Sequence, residues 1–270
     1  MENDPAGHSP HTFGLLNDFA GVVGKRLGEM HAALAAETDD PAFAPIVAGD
    51  ELVSGWAKDA ANQIERGLKD LEREKRSLEP SLLTLADAIL SRAPDLMASL
   101  PKLAEAGRGS LAIRVHGDFH LGQILVSQSD AYIIDFEGEP LRSLDQRRGM
   151  TTPVRDVAGF LRSLDYAAAS FSLPENDASP QPVRERREGL LARFRRETAR
   201  AFLEAYWLAV KAAPQLGLGV ARAPLLNLMI LEKASYEISY EAANRPKWLA
   251  IPLRGFAAIA NRLKTRERLS

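Results

Sequence analysis

The sequence predicts a mainly α-helical fold of the α+β class, with one small β element near the middle of the chain. Apolar residues recur at helical spacing before residue 106 and again after Pro153. Between these two parts, short runs rich in β-branched residues are separated by turn residues from Leu111 to Asp135. With 270 residues and 46% hydrophobic content, the chain can bury a sizeable core.

Four helices are predicted before the β element, because their apolar residues share one helical face. They span residues 13–36, 50–77, 81–90 and 94–105. Residues 1–12 are polar and contain two prolines, so we expect a flexible tail there and a single folded lobe over residues 13–270. Helices are expected again from about Pro153 to the end, interrupted by a loop of disordered composition at residues 174–182.

Three short strands are predicted in the β element. They are Leu111–Val115, Gln123–Ser127 and Ala131–Asp135. The polar segment Ser127–Asp130 separates the last two, so we expect them to form a hairpin.

Composition excludes several classes of function. The net charge of −2 gives no reason to expect nucleic acid or an anionic membrane as a partner. The chain has no cysteine, which rules out disulfides, thiolate zinc sites and a cysteine nucleophile. The N-terminus lacks the features of a signal peptide, and no apolar run approaches the ~20 residues of a membrane span. We therefore expect a soluble cytoplasmic protein.

The stretch from Arg114 to Pro140 is the most informative part of the sequence. It places Asp118 in a turn, an amide five residues later at Gln123, and Asp135 after the hairpin. Phosphoryl transfer needs a carboxylate that accepts the proton of the attacking hydroxyl, and oxygen ligands that hold Mg²⁺ against the nucleotide phosphates. The pattern therefore indicates Asp118 as the base and the other two residues as magnesium ligands.

Further polar residues surround this pattern. His116 and His120 bracket Asp118, and Glu137 and Glu139 extend the acidic cluster after Asp135. We expect His116 on the cofactor side and His120 and Glu137 on the substrate side, and either glutamate could bind metal or a sugar hydroxyl. A zinc hydrolase site built on the two histidines is the disfavoured alternative, since no thiolate is present.

Asp156 begins a helical stretch just after Pro153. A carboxylate in the first turn of a helix is stabilised by the helix dipole. We expect a structural role in which Asp156 bonds back to the loop that carries Asp118 and fixes its shape.

Several segments resemble bacterial maltokinases. They are the stretch described above, Arg155–Ala168, Tyr236–Pro252 and residues 25–45, so the resemblance covers nearly the whole chain beyond about residue 15. Maltokinases use ATP to phosphorylate maltose at its anomeric hydroxyl, and some are fused to trehalose synthase. Their fold is like that of aminoglycoside phosphotransferases and protein kinases, which implies a protein-kinase-like C-lobe here, with ATP and Mg²⁺ bound.

The resemblance also implies roles for individual residues. It makes Asp118 the catalytic base, Gln123 and Asp135 the magnesium ligands, and the C-terminal segment a sugar-binding wall. The residues of that predicted wall are Tyr236, Glu237, Tyr240, Glu241, Arg245 and Trp248. Aromatic rings can stack on a pyranose, and charged groups can bond its hydroxyls. Core packing of an amphipathic helix is the alternative for each aromatic residue.

A kinase-fold enzyme also needs an N-lobe, a β-sheet with a loop over the phosphates and a lysine that grips them. No β-rich or glycine-rich strand-turn-strand segment precedes the first predicted helix. We therefore expect the N-lobe to be absent from this chain, and the isolated chain to bind ATP weakly and turn over poorly. The expected partners are maltose or a related sugar, and a separate N-lobe or a trehalose synthase.

Two alternatives to a maltokinase stay open. The first is a glucosamine kinase or an aminoglycoside-type phosphotransferase, and the second is a non-catalytic interaction lobe in a trehalose synthase and maltokinase assembly. A site for a cationic amino sugar should present extra carboxylates, whereas a maltose site should present more stacking aromatics. The lining of the acceptor site therefore distinguishes the two substrates.

Overall fold

The structure, a computed structural model, describes residues 14–140, 142–171 and 179–267. Helices dominate these ranges. They are α1 (Gly14–Leu34), α2 (Asp50–Glu74), α3 (Pro80–Ser91), α4 (Ala93–Glu105), α5 (Leu144–Arg148), α6 (Val154–Ser170), α7 (Gln181–Val210), α8 (Arg222–Asn244) and α9 (Ala250–Glu267). The four helices predicted before residue 106 are confirmed to within a few residues at each end. The predicted tail at 1–12 and most of the predicted loop at 174–182 lie outside the described residues.

Two small antiparallel sheets supply the β structure of the described ranges. The first pairs β1 (Ile46–Val47) with β2 (Leu111–Ala112), and the second is the hairpin of β3 (Ile124–Ser127) and β4 (Asp130–Ile133). The strand predicted over Leu111–Val115 is thus shorter than expected, because its partner β1 offers only two residues. Neither β1 nor the five-residue α5 was predicted.

The hairpin forms at the predicted turn. Gln128 and Ser129 have φ of 50° and 63°, and a two-residue hairpin turn of type I′ requires positive φ at both central positions. The turn matches the right-handed twist of the flanking strands even though neither residue is Gly, Asn or Asp. The hairpin is tied to α1 by a bidentate contact from Arg26 to the carboxylate of Asp130, at 2.8 and 2.6 Å.

Helix α8 is the centre of the core. It packs against α2, α4, α6 and α9, and thirteen of its residues are buried. Its closest neighbour is α2, since a Cβ added at Gly67 would lie 2.7 Å from the carbonyl oxygen of Ser235. Only glycine permits this approach, which fixes α2 alongside the polar face of α8. No helix in the described ranges is long and apolar enough to cross a membrane.

A stack of aromatic rings ties the central loop to the helical core. Phe119, which follows Asp118, stacks on Phe160 of α6, and Phe160 stacks on Phe202 of α7, with ring centroids 5.9 and 4.0 Å apart. All three rings are buried. Loss of a buried Phe side chain costs about 3–5 kcal/mol, so Phe119 holds the loop firmly against the core.

Candidate active site

The loop that carries Asp118 takes its shape from Asp156, as predicted. Asp156 lies in the first turn of α6 and is buried. Its carboxylate accepts hydrogen bonds from the backbone N–H groups of His116 at 2.8 Å and Gly117 at 2.9 Å. Gly117 has φ of 84°, which favours glycine. The expectation that Asp156 bonds back to the loop is therefore confirmed.

Two further buried side chains, His31 and Tyr206, form a chain of hydrogen bonds with Asp156. His31 of α1 donates from Nε2 to Asp156 Oδ2 at 3.0 Å, and its Nδ1 accepts from the hydroxyl of Tyr206 of α7 at 2.9 Å. Burial alone would raise the pKa of the Asp156 carboxyl, but the hydrogen bonds from His31 and the loop amides outweigh it, so the pKa lies below its ordinary value. Three helices thus cooperate to hold one loop.

The structure places His116 inside this framework. Its side chain is buried, its Nε2 donates to the carbonyl of Ile134 at 2.8 Å, and its Nδ1 accepts from the N–H of Asp118 at 3.3 Å. The ring also contacts Phe136, with centroids 5.0 Å apart. Both ring nitrogens are therefore used to join the Asp118 loop to the segment after β4. A nucleotide contact by His116 stays a prediction, and this burial does not favour it.

Asp118 meets a cation that the sequence analysis did not identify. Lys233 of α8 donates from Nζ to Asp118 Oδ1 at 3.2 Å and to Glu139 Oε1 at 2.6 Å. Burial would lower the pKa of the Lys233 ammonium, but the nearby Glu139 and Asp118 carboxylates raise it above its ordinary value. Lys233 is thus a permanent positive charge beside Asp118. The signal in the sequence was the charged pair Glu232-Lys233 inside an apolar helical run.

The buried charges continue away from Asp118 in alternating order. Arg142 bonds Glu139 at 2.8 Å and Glu232 at 2.7 Å, and Arg155 bonds Glu232 at 2.9 Å. Burial would raise the pKa of Glu139 and Glu232, but their cationic neighbours lower both below the ordinary value. These carboxylates therefore stay ionised at neutral pH. The charged side chains next to Asp118 therefore form a continuous series of ion pairs.

The predicted magnesium ligands lie together. The side-chain amide of Gln123 donates to Asp135 Oδ2 at 3.0 Å, and Asp135 adopts a φ of 64° that an L-residue rarely takes. An amide oxygen and a carboxylate suit Mg²⁺, which is usually held by one or two carboxylates and completed by phosphates and water. In the part of the chain that the structure describes, no group of three or more His, Asp or Glu could hold a metal by itself.

The two remaining residues of the predicted loop lie at its rim. His120 is 3.9 Å from Asp118 Oδ2 through its Nε2, and burial lowers the pKa of its imidazole. The imidazole of His120 thus lies near Oδ2 of Asp118, whereas Lys233 bonds Oδ1. Glu137 is exposed, and its backbone carbonyl accepts a bond from Arg147. The roles of His120 and Glu137 toward a substrate stay predictions.

The predicted C-terminal wall divides into two faces of α8. Tyr236 and Tyr240 are stacked, with centroids 6.4 Å apart, and both line a cleft. Glu237 and Glu241 are buried on the face that turns toward α6. They accept bonds from three partners, namely Arg162 at 2.6 Å, Tyr166 at 3.0 Å and Arg245 at 2.6 Å. Sugar contacts by these two glutamates stay a prediction, and the structure gives them partners within the protein.

The last two residues of the predicted wall lie at the end of α8. The guanidinium of Arg245 stacks over Tyr240 and Trp248, at 5.4 and 5.1 Å from the ring centroids. Trp248 is also parallel to Tyr166, with centroids 6.2 Å apart. Arg245 is thus a link between the cleft-facing tyrosines and the aromatic residues behind them.

The cleft itself has a volume of about 350 Å³ and lies between α2 and α8, next to the small pocket at Asp118. Glu139, Arg142, Glu232 and Tyr236 are shared between this cleft and the small pocket at Asp118. Its second wall is a set of polar α2 residues that no sequence motif indicated. They are Asp59, Gln63, Arg66 and Asp70. A volume in the range of ~300–1,000 Å³ is typical of small-molecule sites.

The fold and the site together define a mainly helical region that combines a loop carboxylate, an amide and a carboxylate on the two sides of a hairpin, and a polar cleft. No family model matches the chain. The chain is 30% identical over 233 residues to a glucosamine kinase of Streptacidiphilus jiangxiensis, covering 86% of this chain and 47% of that protein. It is 27% identical over 238 residues to a glucosamine kinase of Mycolicibacterium smegmatis, covering 88% of this chain and 52% of that protein.

Solved structures show the same likeness in the fold. A glucosamine kinase in crystal form A matches with a TM-score of 0.71 and 23% identity, over 93% of this chain and 55% of that chain. A glucosamine kinase in complex with glucosamine, ADP and inorganic phosphate matches with a TM-score of 0.70 and 22% identity, over 93% of this chain and 56% of that chain. The chain thus spans about half the length of the glucosamine kinases it matches. These similarities support the glucosamine kinase alternative better than the maltokinase hypothesis.

Proposed function

We propose that this chain is the acceptor-binding lobe of an ATP-dependent sugar kinase that phosphorylates glucosamine or a closely related amino sugar. The observation that carries the proposal is the position of Asp118, whose loop is held by Asp156. Its pocket shares four lining residues with the cleft, and carboxylates from two helices line that cleft. The similarity to glucosamine kinases over about half their length supports the same substrate class.

In this proposal Asp118 is the base. A sugar hydroxyl in the cleft forms the new bond to the terminal phosphorus of ATP, the bond from that phosphorus to the bridging oxygen breaks, and ADP leaves with the bridging electrons. Asp118 accepts the hydroxyl proton. Lys233 holds Oδ1 of the carboxylate, so that Oδ2 remains for the sugar hydroxyl.

Gln123 and Asp135 would hold Mg²⁺ beside this base. When bound, the ion neutralises charge on the phosphates. The hairpin β3–β4 positions both ligands, since Gln123 precedes β3 and Asp135 follows β4. The backbone N–H of Ile134 also donates to the carbonyl of Gln123 at 3.0 Å, which keeps the two side chains together. We assign this arrangement to the C-lobe of a protein-kinase-like fold.

The choice of an amino sugar as substrate rests on the carboxylates in the cleft, because a site for a cationic sugar should present more of them than a maltose site. Carboxylates of Asp59, Asp70, Glu139 and Glu232 line the cleft. Glu139 and Glu232 are paired within the protein, so the two aspartates of α2 are the groups that favour a cationic substrate. Stacked Tyr236 and Tyr240 favour a second candidate, a maltose kinase, because neutral glucose rings bind on aromatic faces. The two candidates therefore differ in which sugar, glucosamine or maltose, the chain should phosphorylate.

A coupled assay of ADP release tests the proposal. The chain is supplied with ATP and Mg²⁺ and with glucosamine, maltose or no sugar. We expect ADP release that depends on glucosamine, even if slow, and that disappears in Asp118→Asn. An Asp87→Asn variant, changed at an exposed carboxylate of α3, is the matched control and should behave like the unmodified chain. Equal release with maltose would favour the second candidate, and release that persists in Asp118→Asn would remove Asp118 as the base.

A further inference from the structure

The polar residues of α2 that face the cleft form one continuous stripe. Asp59, Gln63, Arg66 and Asp70 follow the spacing i, i+4, i+7 and i+11, which places them on a single face of a helix. The close approach of Gly67 to Ser235 holds this face beside α8. The stripe therefore lines one wall of an open cleft, with Asp59 and Arg66 exposed and Gln63 and Asp70 half-buried.

The cleft extends well beyond the small pocket at Asp118. At 1.5 Å per residue, the stripe from Asp59 to Asp70 extends for about 16 Å along α2. The facing residues of α8 run from Glu232 to Asn244, about 18 Å by the same measure. A single pyranose bound at Asp118 would occupy one end of this length. The remaining wall is lined by groups that can bond further hydroxyls or amines.

One polar atom in the cleft lining lacks a partner within the described residues. The hydroxyl oxygen of Ser239 is buried without a hydrogen bond, and Ser239 lies on the cleft side of α8 between the two tyrosines. An unpaired buried hydroxyl costs free energy. A ligand hydroxyl or amine beside Tyr236 and Tyr240 would satisfy it.

The extent to which carboxylates are paired with cations differs along the cleft. Near Asp118 the carboxylates of Glu139 and Glu232 are compensated by arginine and lysine. On α2, Asp70 pairs with Arg73 at 3.0 Å across an exposed contact, whereas no ion pair reaches Asp59 among the residues that the structure describes. Asp59 is therefore the carboxylate of the α2 wall that is open to a cationic ligand, and Arg66 is the cation of the same stripe.

We propose that the part of the cleft between α2 and α8 is a second acceptor subsite that binds an additional amino-sugar ring, so that the preferred acceptor is a glucosamine-containing disaccharide or longer glycoside. This inference rests on the proposed function, because the first ring is placed at Asp118. The ammonium of the second ring pairs with Asp59 or Asp70, and its hydroxyls bond Gln63, Ser239 and Asn244.

Titration of the ¹⁵N-labelled chain, followed by NMR, tests the proposal without requiring turnover. The ligands are glucosamine, the β-1,4-linked disaccharide of glucosamine, and maltose. We expect the disaccharide to bind about tenfold more tightly than glucosamine, equivalent to ~1.4 kcal/mol. The additional shifts should appear at residues of α2. In Asp59→Asn/Asp70→Asn the two ligands should bind equally.

A matched variant and two outcomes make the test decisive. Glu65→Gln/Glu72→Gln removes two charges from the opposite face of α2 and should keep the preference for the disaccharide. If glucosamine and its disaccharide bind equally to the unmodified chain, the second subsite is wrong while the proposed function stands. If neither amino sugar binds, both are wrong, and tighter binding of maltose would assign the α2 wall to a neutral sugar.

Discussion

Replacement of Asp156 by alanine tests the framework that holds the candidate base. The carboxylate accepts from two backbone amides and from His31, at 2.8, 2.9 and 3.0 Å. Its removal leaves three buried donors without their acceptor. Hydrogen bonds to charged groups contribute ~1.5–3 kcal/mol each, but partial rehydration and relaxation reduce the sum. We expect a loss of about 3–5 kcal/mol, as for other broken buried pairs.

Urea denaturation, followed by circular dichroism and tryptophan fluorescence, measures this loss. With a slope of ~2 kcal/mol per molar urea, Asp156→Ala should lower the midpoint by about 2 M. Asp87→Asn is the control, since it breaks a 2.6 Å pair with Lys75 at the surface, and surface pairs contribute only ~0–1 kcal/mol. A loss below ~1 kcal/mol for Asp156→Ala would refute the view that this carboxylate organises the loop.

The Asp156 carboxylate should also make the stability of the fold depend on pH. Because the pKa of Asp156 is lowered in the folded chain, the unfolded chain binds a proton more readily than the folded one. The stabilisation by Asp156 is therefore fully present above the unfolded pKa of about 3.8 and is lost as pH falls through the lower, folded pKa. The unmodified chain should thus lose stability below pH ~4 relative to Asp156→Ala, as urea midpoints at several pH values would show.

Two further predictions concern the packing and the charge of the site. Gly159→Ala would place a Cβ 2.5 Å from the carbonyl oxygen of Phe119 and should cost about 1–3 kcal/mol in thermal melts. Gly189→Ala, with no atom within 4 Å, should be neutral or stabilising, and equal costs would contradict the close approach. Lys233→Met should raise the pKa of the Glu139 carboxyl in ¹³C NMR titrations, while Lys233→Arg should largely preserve it. An unchanged Glu139 titration in Lys233→Met would show that this lysine is not its main counter-charge.

Local features of the site were predictable because their chemistry is contiguous in the sequence. Gln123 and Asp135 flank the β3–β4 hairpin, whose strand pairing brings their side chains within hydrogen-bonding distance, and Asp118 lies five residues before Gln123. Asp156 was predictable for a related reason, since a carboxylate in the first turn of a helix seeks backbone N–H groups. The long amphipathic helices followed from apolar periodicity, which is the strongest sequence signal.

Other features depend on contacts that no local pattern contains. Lys233 reaches Asp118 across 115 positions of the chain, so its role follows only from the packing of α8 beside the loop. The α2 stripe has the composition of a solvated face and becomes a wall only because Gly67 lets α8 approach. Two-residue strands such as β1 are too short for a periodic signal. The split of the C-terminal wall likewise follows from which faces of α8 meet α2 and α6.

The proposed function requires that Asp118 accepts a proton from an amino sugar bound beside it during phosphoryl transfer. A competition experiment tests it most directly, with equimolar glucosamine and maltose incubated with ATP, Mg²⁺ and the chain, and the sugar phosphates identified by mass spectrometry. We expect glucosamine phosphate in excess over maltose phosphate, and neither product with Asp118→Asn. Maltose phosphate in excess, or undiminished product with Asp118→Asn, would contradict it.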